Sequence, residues 1–265
     1  MFMKPYISLY QRKIAPLPES GSAEDRAILN ICQKSETIVF PEYFSMHKGL
    51  GNLTEMVEYS VATYEWLINL SQQPEAKDTL IAGGTILQRV GENFFNTLPV
   101  FFNGTLLNTY RKRELFENEK LTLTAGTKSV TILHPVSHKS YGLLICADVR
   151  KPEIFNDYKN NDYILIPTAS PFIADDNPLK QSVRDQTIYV AGARSSGATI
   201  IKCCGTGCVT AGSLSNKAHA IQGRSLVATG ESLPAVAPGI EWNGFIMIDK
   251  INQQIEIFPL AESSL

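Results

Sequence analysis

The run Tyr141-Gly-Leu-Leu-Ile-Cys-Ala-Asp-Val-Arg-Lys-Pro-Glu153 offers a nucleophile in a setting that could use it. Leu143 to Ile145 has strand character and Cys146 ends it. Pro152 stands where the first turn of a helix over Glu153 to Tyr158 would begin, a place where a missing N–H leaves no helical partner unmet. A side chain at a sharp strand-to-helix turn is pushed clear of the backbone and presented to a crevice. That is the logic of a nucleophile elbow, here with sulfur in place of oxygen. Taken alone, the same cysteine fits an ordinary buried small residue equally well.

Three charged residues could assist such a thiol. Glu42 follows an apolar strand and Pro41, between Tyr43 and Phe44; a carboxylate in an apolar mouth has its pKa raised by desolvation and suits a general base near neutral pH. Lys112, in Tyr110-Arg-Lys-Arg-Glu-Leu-Phe116, follows another strand and could stabilise a developing oxyanion. Glu119 lies just before Leu121-Thr-Leu-Thr-Ala-Gly126. Each also has a plain alternative as a solvated loop or strand-edge residue.

The elements that would position these groups are readable in outline. Pro5–Tyr10 and Thr37–Phe40 read as strands, and Ser22 with Asp25 three residues on marks the start of a helix reaching Lys34. Val57, Val61, Tyr64 and Ile68 make an amphipathic helix over 54–70. Thr79–Leu87 reads as one strand with a bulge or a close backbone approach at Gly83-Gly84. Phe94–Phe102 and Gly104–Tyr110 read as a hairpin around Asn103-Gly104. Val130–Leu133, Tyr141–Ile145, Tyr163–Ile166 and Ile188–Ala193 read as strands, Asp176–Thr187 as a helix, and Phe245–Ile248 and Ile255–Phe258 as late strands. The Gly-, Ser-, Cys- and Thr-rich stretch Ile200–Val227 resists assignment. Interleaved helices and strands with hairpins argue for an α/β domain with mixed sheets, organised as one unit over 1–265.

Phe40-Pro-Glu-Tyr-Phe44, Tyr110 to Phe116, Glu119 with Gly126, and Ile145-Cys-Ala-Asp-Val-Arg-Lys-Pro-Glu153 resemble, in order, segments of the nitrilase, or carbon–nitrogen hydrolase, superfamily. Asp162-Tyr-Ile-Leu-Ile-Pro167, Tyr189 to Gly197 and Gly223 to Val227 are similar to further segments of it. The resemblance implies a four-layer α-β-β-α sandwich with two mixed β-sheets, often paired into homodimers through outer helices. It implies an amidase-type hydrolase in which Cys146 attacks an amide or nitrile carbon and Glu42 takes the thiol proton. Lys112 and the Ala147 N–H would hold the oxyanion, with Glu119 as second carboxylate. Tyr43 and Thr168 would border the substrate, a small amide, nitrile or carbamoyl compound, and neither metal nor organic cofactor would be required. Thr168-Ala-Ser-Pro-Phe-Ile-Ala174 followed by Asp175-Asp176, and the cysteine-rich Ala198–Ala220, depart from the family pattern.

Composition narrows the alternatives. The 265 residues carry a formal charge of −2, and the densest basic run, Arg111-Lys112-Arg113, is flanked by Glu114 and Glu117, so a nucleic-acid footprint is not indicated. No stretch reaches the roughly 18 apolar residues of a membrane helix, the first residues lack a signal-peptide pattern, and five cysteines suggest no disulfide framework. The expectation is a cytoplasmic protein. A papain-like mechanism would need a histidine, His134 or His138, which read as surface or turn residues. Cys203, Cys204 and Cys208 with His219 form no CxxC pair and read as packing or loop residues rather than a zinc site. Acyl transfer through the same thioester, and a non-catalytic binding module, are the remaining readings.

Overall fold

A run as uniformly apolar as Ile164-Leu165-Ile166 must be covered on both faces, and the chain supplies that cover with a second sheet on one side and helical turns on the other. The computed structural model describes residues 4–46, 53–117, 119–171, 177–210, 218–239 and 241–260, the side chains of 209, 210, 218 and 219 apart. In chain order the strands are β1 Tyr6–Gln11, β2 Ser35–Val39, β3 Leu80–Ala82, β4 Ile86–Val90, β5 Asn93–Phe102, β6 Thr105–Arg111, β7 Thr131–Leu133 and β8 Ser140–Leu143. They continue with β9 Tyr163–Thr168, β10 Thr199–Cys204, β11 Thr206–Thr210, β12 Ala218–Gln222, β13 Leu226–Ala228, β14 Ala235–Val236, β15 Gly244–Asp249 and β16 Ile255–Pro259. The α-helices are α1 Ala23–Lys34, α2 Leu53–Gln72, α3 Pro178–Asp185 and α4 Ala191–Ser196.

One sheet runs β16-β15-β1-β2-β3-β5-β4 with β6 on β5; the other runs β14-β13-β10-β9-β8-β7. Each has a parallel centre, β1-β2-β3 and β8-β9-β10, flanked by antiparallel strands. Between the sheets Ile7, Leu9, Val39 and Val100 meet Leu143, Leu165, Ile201 and Cys203 in one apolar cluster. Outside the first sheet, Ile28, Ile31 and Cys32 of α1 and Leu67 and Leu70 of α2 cover Ile38, Ile81 and Phe101. Outside the second, Phe155 and Tyr158 of a 3-10 turn pack with Tyr189 and Ala193. The result is the four-layer α-β-β-α sandwich with two mixed sheets.

Local chemistry explains where reading and structure agree. Ser22 caps α1 by accepting from the Asp25 N–H at 3.1 Å. Asn103 and Gly104 both take positive φ, 48° and 76°, as the tight turn between β5 and β6 requires. It also explains three differences. Thr79–Leu87 is two strands, because Gly84 (φ 63°) turns the chain where a Cβ would lie 2.2 Å from the Pro41 carbonyl oxygen. Ile188–Ala193 is helical, a π-turn over Gln186–Val190 running into α4; its apolar face, Tyr189, Val190 and Ala193, has helical spacing. The segment from Pro152 to Tyr158 is a 3-10 turn rather than an α-helix, with proline at its first position as expected. The expected helix from Asp176 begins in the structure at Pro178, capped by Asn177; Asp175 and Asp176, like 172–174 and 211–217, lie outside the described residues. No helix among the described residues is long and apolar enough to cross a membrane.

Candidate active site

Both parallel centres end at the same edge of the sandwich, and the loops leaving those ends carry the chemistry. Leu144 donates to the Leu165 carbonyl at 3.1 Å, Ile145 is still extended, and Cys146 then takes φ 42° at the head of a 3-10 turn over Cys146–Arg150. A left-handed conformation at a residue with a Cβ costs about 1–3 kcal/mol and persists only where surrounding bonds dictate it. Asp148 supplies those bonds. Its buried carboxylate accepts from Ile145 N (2.7 Å), the Tyr110 hydroxyl (2.8 Å), Arg113 N (3.0 Å) and Glu114 N (2.7 Å). One side chain thus locks the cysteine turn to the loop that leaves β6.

Lys112 begins that loop. Its N–H donates to the Asn96 carbonyl (2.9 Å) and its carbonyl accepts from Gly126 N (2.7 Å). Its ammonium, 2% exposed, lies 2.8 Å from Glu42 Oε1 and 2.7 Å from Glu119 Oε2. Glu42 leaves β2 through Pro41 and a turn in which Tyr43 has φ 52° and donates its N–H to Thr85 Oγ1. Rather than an apolar mouth, Glu42 occupies a cage of donors. Oε1 takes Lys112 and Asn96 Nδ2 (2.9 Å), and Oε2 takes the Ala169 N–H (2.9 Å). Glu119 heads a short 3-10 turn, accepting from Phe116 N (2.7 Å), Asn96 Nδ2 (2.9 Å) and the Tyr43 hydroxyl (3.1 Å).

The electrostatics follow from one ammonium between two carboxylates beside a thiol. Burial opposes the Lys112 charge, but Glu42, Cys146 and Glu119 overcome it and hold the ammonium well above its ordinary range. Burial likewise works against the Glu119 charge, and Lys112 nevertheless keeps that carboxyl below its ordinary value. Burial first, then the Glu42 charge, push the Cys146 thiol well up against the opposing pull of Lys112 and the Ala169 N–H. Tyr43 is pushed up too, by burial and by the two carboxylates.

Glu42, Lys112, Glu119 and Cys146 thus share one cluster, with Tyr43 on Glu119 and Ala147, 4% exposed, immediately after the cysteine. Thr168 is turned away. Its hydroxyl donates to the Cys203 carbonyl at 3.3 Å, and the next residue's N–H reaches the cluster instead. His134 is 1% exposed rather than a surface residue, with its ring on the Glu36 carbonyl and on loop amides, not on the thiol. Cys203 is buried with Sγ against the carbonyls of Tyr10 and Val39, and among the described residues no three His, Cys, Asp or Glu side chains are grouped to hold a metal ion.

Asn96 went unread in the sequence although it is conspicuous there, a polar residue between Phe95 and Thr97-Leu98 on a buried strand. Tyr189, whose ring lies 5.3 Å from Lys202 Nζ, had no comparable signal. A groove of about 740 Å³ beside α3 and α4, lined by Gln186, Arg194, Arg224 and Leu233 among others, involves none of the four clustered side chains.

Residues 25–232 match the sequence profile of the family described as carbon-nitrogen hydrolase. A deaminated glutathione amidase of Synechocystis sp. (strain PCC 6803 / GT-S) is 31% identical over 188 residues, covering 63% of this chain and 67% of that protein. Among solved structures, a cysteine-to-alanine variant of the Nesterenkonia AN1 amidase, from the nitrilase superfamily, superposes with a TM-score of 0.71. Its identity is 18%, covering 97% of this chain and 91% of that one. The same amidase in complex with butyramide gives a TM-score of 0.70 at 16% identity, with coverage again 97% and 91%.

Proposed function

The chain belongs to the carbon–nitrogen hydrolase family, and from that premise we propose that it hydrolyses small amides through a thioester on Cys146. Glu42 takes the thiol proton at Oε2 as sulfur attacks the amide carbon, because a thiol held high by burial needs a base in the same step. The carbonyl oxygen becomes an oxyanion that Lys112 and the Ala147 N–H stabilise. The tetrahedral intermediate collapses with loss of ammonia or amine, which receives the proton from Glu42. Water, deprotonated by the same carboxylate, then attacks the thioester and releases the acid and the free thiol. Glu119 holds Lys112 at 2.7 Å as a second carboxylate beside Glu42.

One observation carries the proposal: the Lys112 ammonium lies 2.8 Å from Glu42 Oε1 and 2.7 Å from Glu119 Oε2, on a loop that Asp148 ties to the turn holding Cys146. Amide is preferred to nitrile because the similar proteins are amidases, one of them bound to butyramide. Ammonia release from a library of small amides, beginning with butyramide, tests it. Turnover is expected from the native protein and should fall by at least about two orders of magnitude in Glu42→Gln. Undiminished turnover in that variant would refute the assignment. We further propose a cytoplasmic homodimer paired through its outer helices, where Leu179 and Val183 of α3 are 73% and 55% exposed; sedimentation at micromolar concentration would show a monomer if this is wrong.

A further inference from the structure

We propose that Asn96 is a positioning residue that fixes the carboxylate plane of Glu42 and so decides which of its oxygens meets the thiol proton; this rests on the catalytic reading above. From the middle of β5, Asn96 touches three members of the cluster. Its carbonyl accepts the Lys112 N–H at 2.9 Å, and its Nδ2 donates at 2.9 Å to Glu42 Oε1 and at 2.9 Å to Glu119 Oε1. Lys112 adds a second donor to Glu42 Oε1, at 2.8 Å. Oε1 is thereby occupied twice, whereas Oε2 accepts the Ala169 N–H at 2.9 Å. Oε2, with one donor against two on Oε1, is the oxygen better able to take a further proton.

The amide orientation follows from charge. Turned over, the side chain would set Oδ1 against two carboxylate oxygens; as placed, Oδ1 is buried with no hydrogen-bond partner among the described residues, and both N–H groups serve the carboxylates. Without that bridge, each carboxylate is free to swing both oxygens onto Lys112. A neutral donor here also keeps the two like charges apart at a fixed spacing without adding a second cation that would compete with Lys112 for the oxyanion.

The test is the rate at which iodoacetamide alkylates Cys146, followed by peptide mass mapping across pH, in the native protein, Asn96→Ala, Asn96→Asp and Glu42→Gln. An N–H donated to a carboxylate favours its charged form, so losing the Asn96 donor is expected to move the acidic limb of the alkylation profile to higher pH. We expect that shift in both Asn96 variants, together with a fall of about 10- to 100-fold at neutral pH, the scale of a general-base contribution. The midpoint of the limb does not depend on how much of a variant folds. A midpoint unmoved in either variant, with only the amplitude lowered, would reduce Asn96 to a packing role and overturn the proposal. A Glu42→Gln variant that alkylates at the native rate would instead overturn the catalytic reading itself.

Discussion

Two buried carboxylates lie at opposite ends of the seam between the sheets, and only one belongs to the cluster proposed to react. Glu36, within β2, is 2% exposed; its Oε1 accepts the Tyr141 hydroxyl at 2.6 Å, its Oε2 is paired with Lys250, and its carbonyl meets His134 Nε2 at 3.1 Å. The other ring nitrogen of His134 accepts from Val136 N and Ser137 N. Each strong acceptor in that cluster has its donor, and the cluster joins the first sheet to the second. Glu42, also 2% exposed, sits where β2 has just ended, and its partners are equally well placed. What differs is a half-buried thiol on a turn with φ 42°, held by Asp148 to the loop that carries Lys112. Burial and charge are common to both ends; a nucleophile is confined to one.

That contrast is open to direct attack. Lys112→Met should abolish most activity, by at least about two orders of magnitude, and should lower stability by about 3–5 kcal/mol, since two buried carboxylates lose their cation. Glu36→Gln at the other end should leave turnover intact while lowering stability by about 1–3 kcal/mol. Steady-state kinetics with urea denaturation on both variants would separate them, and a Glu36 variant as inactive as the Lys112 one would dissolve the distinction. Gly126→Ala comes next. A Cβ there would sit 2.2 Å from the Arg111 carbonyl oxygen, so the chain entering Lys112 has to move, and turnover should drop roughly tenfold, the order of loss from a displaced catalytic group. Gly239→Ala, with nothing within 4 Å, is the matched control and should change neither activity nor stability.

The smallest effect concerns pH. Burial, outweighing the pull of Glu36, holds the His134 pKa below its ordinary value. The unfolded chain therefore binds a proton on this ring at a higher pH than the native protein does. Stability present above the ordinary histidine pKa, about 6.5, is lost as pH falls toward the lower native value. Urea midpoints should decline over that window, and His134→Gln should flatten the decline without touching the rate of cysteine alkylation at neutral pH. An unchanged slope in the variant would show that His134 contributes nothing to it.

Much of this was legible in the residues themselves. Strand-terminal Cys146, Glu42 after Pro41 and Lys112 after Tyr110 are marked by where apolar runs stop, and the structure sets all three just past strand ends. The turn at Asn103-Gly104 and the start of α1 were legible because a positive φ and a capping oxygen each need particular residues. What escaped was whatever depends on a partner remote in sequence. Asn96 gains its meaning from Glu42 and Glu119, and Asp148 from amides of the β6 loop. Thr168 looked suited to a substrate, and only the pairing of β9 with β10 turns its hydroxyl toward Cys203. Tyr189 was misread for a different reason, since a short apolar run suits strand and helix alike until its neighbours are known.

The measurement that bears most directly on the whole account is the intact mass of the protein quenched in acid during turnover of butyramide. The native chain should gain one butyryl group in place of one hydrogen, mapped to the peptide holding Cys146, and Cys146→Ala should gain nothing. Turnover by Cys146→Ala, or an adduct mapped to Cys208 or any other residue, would contradict it.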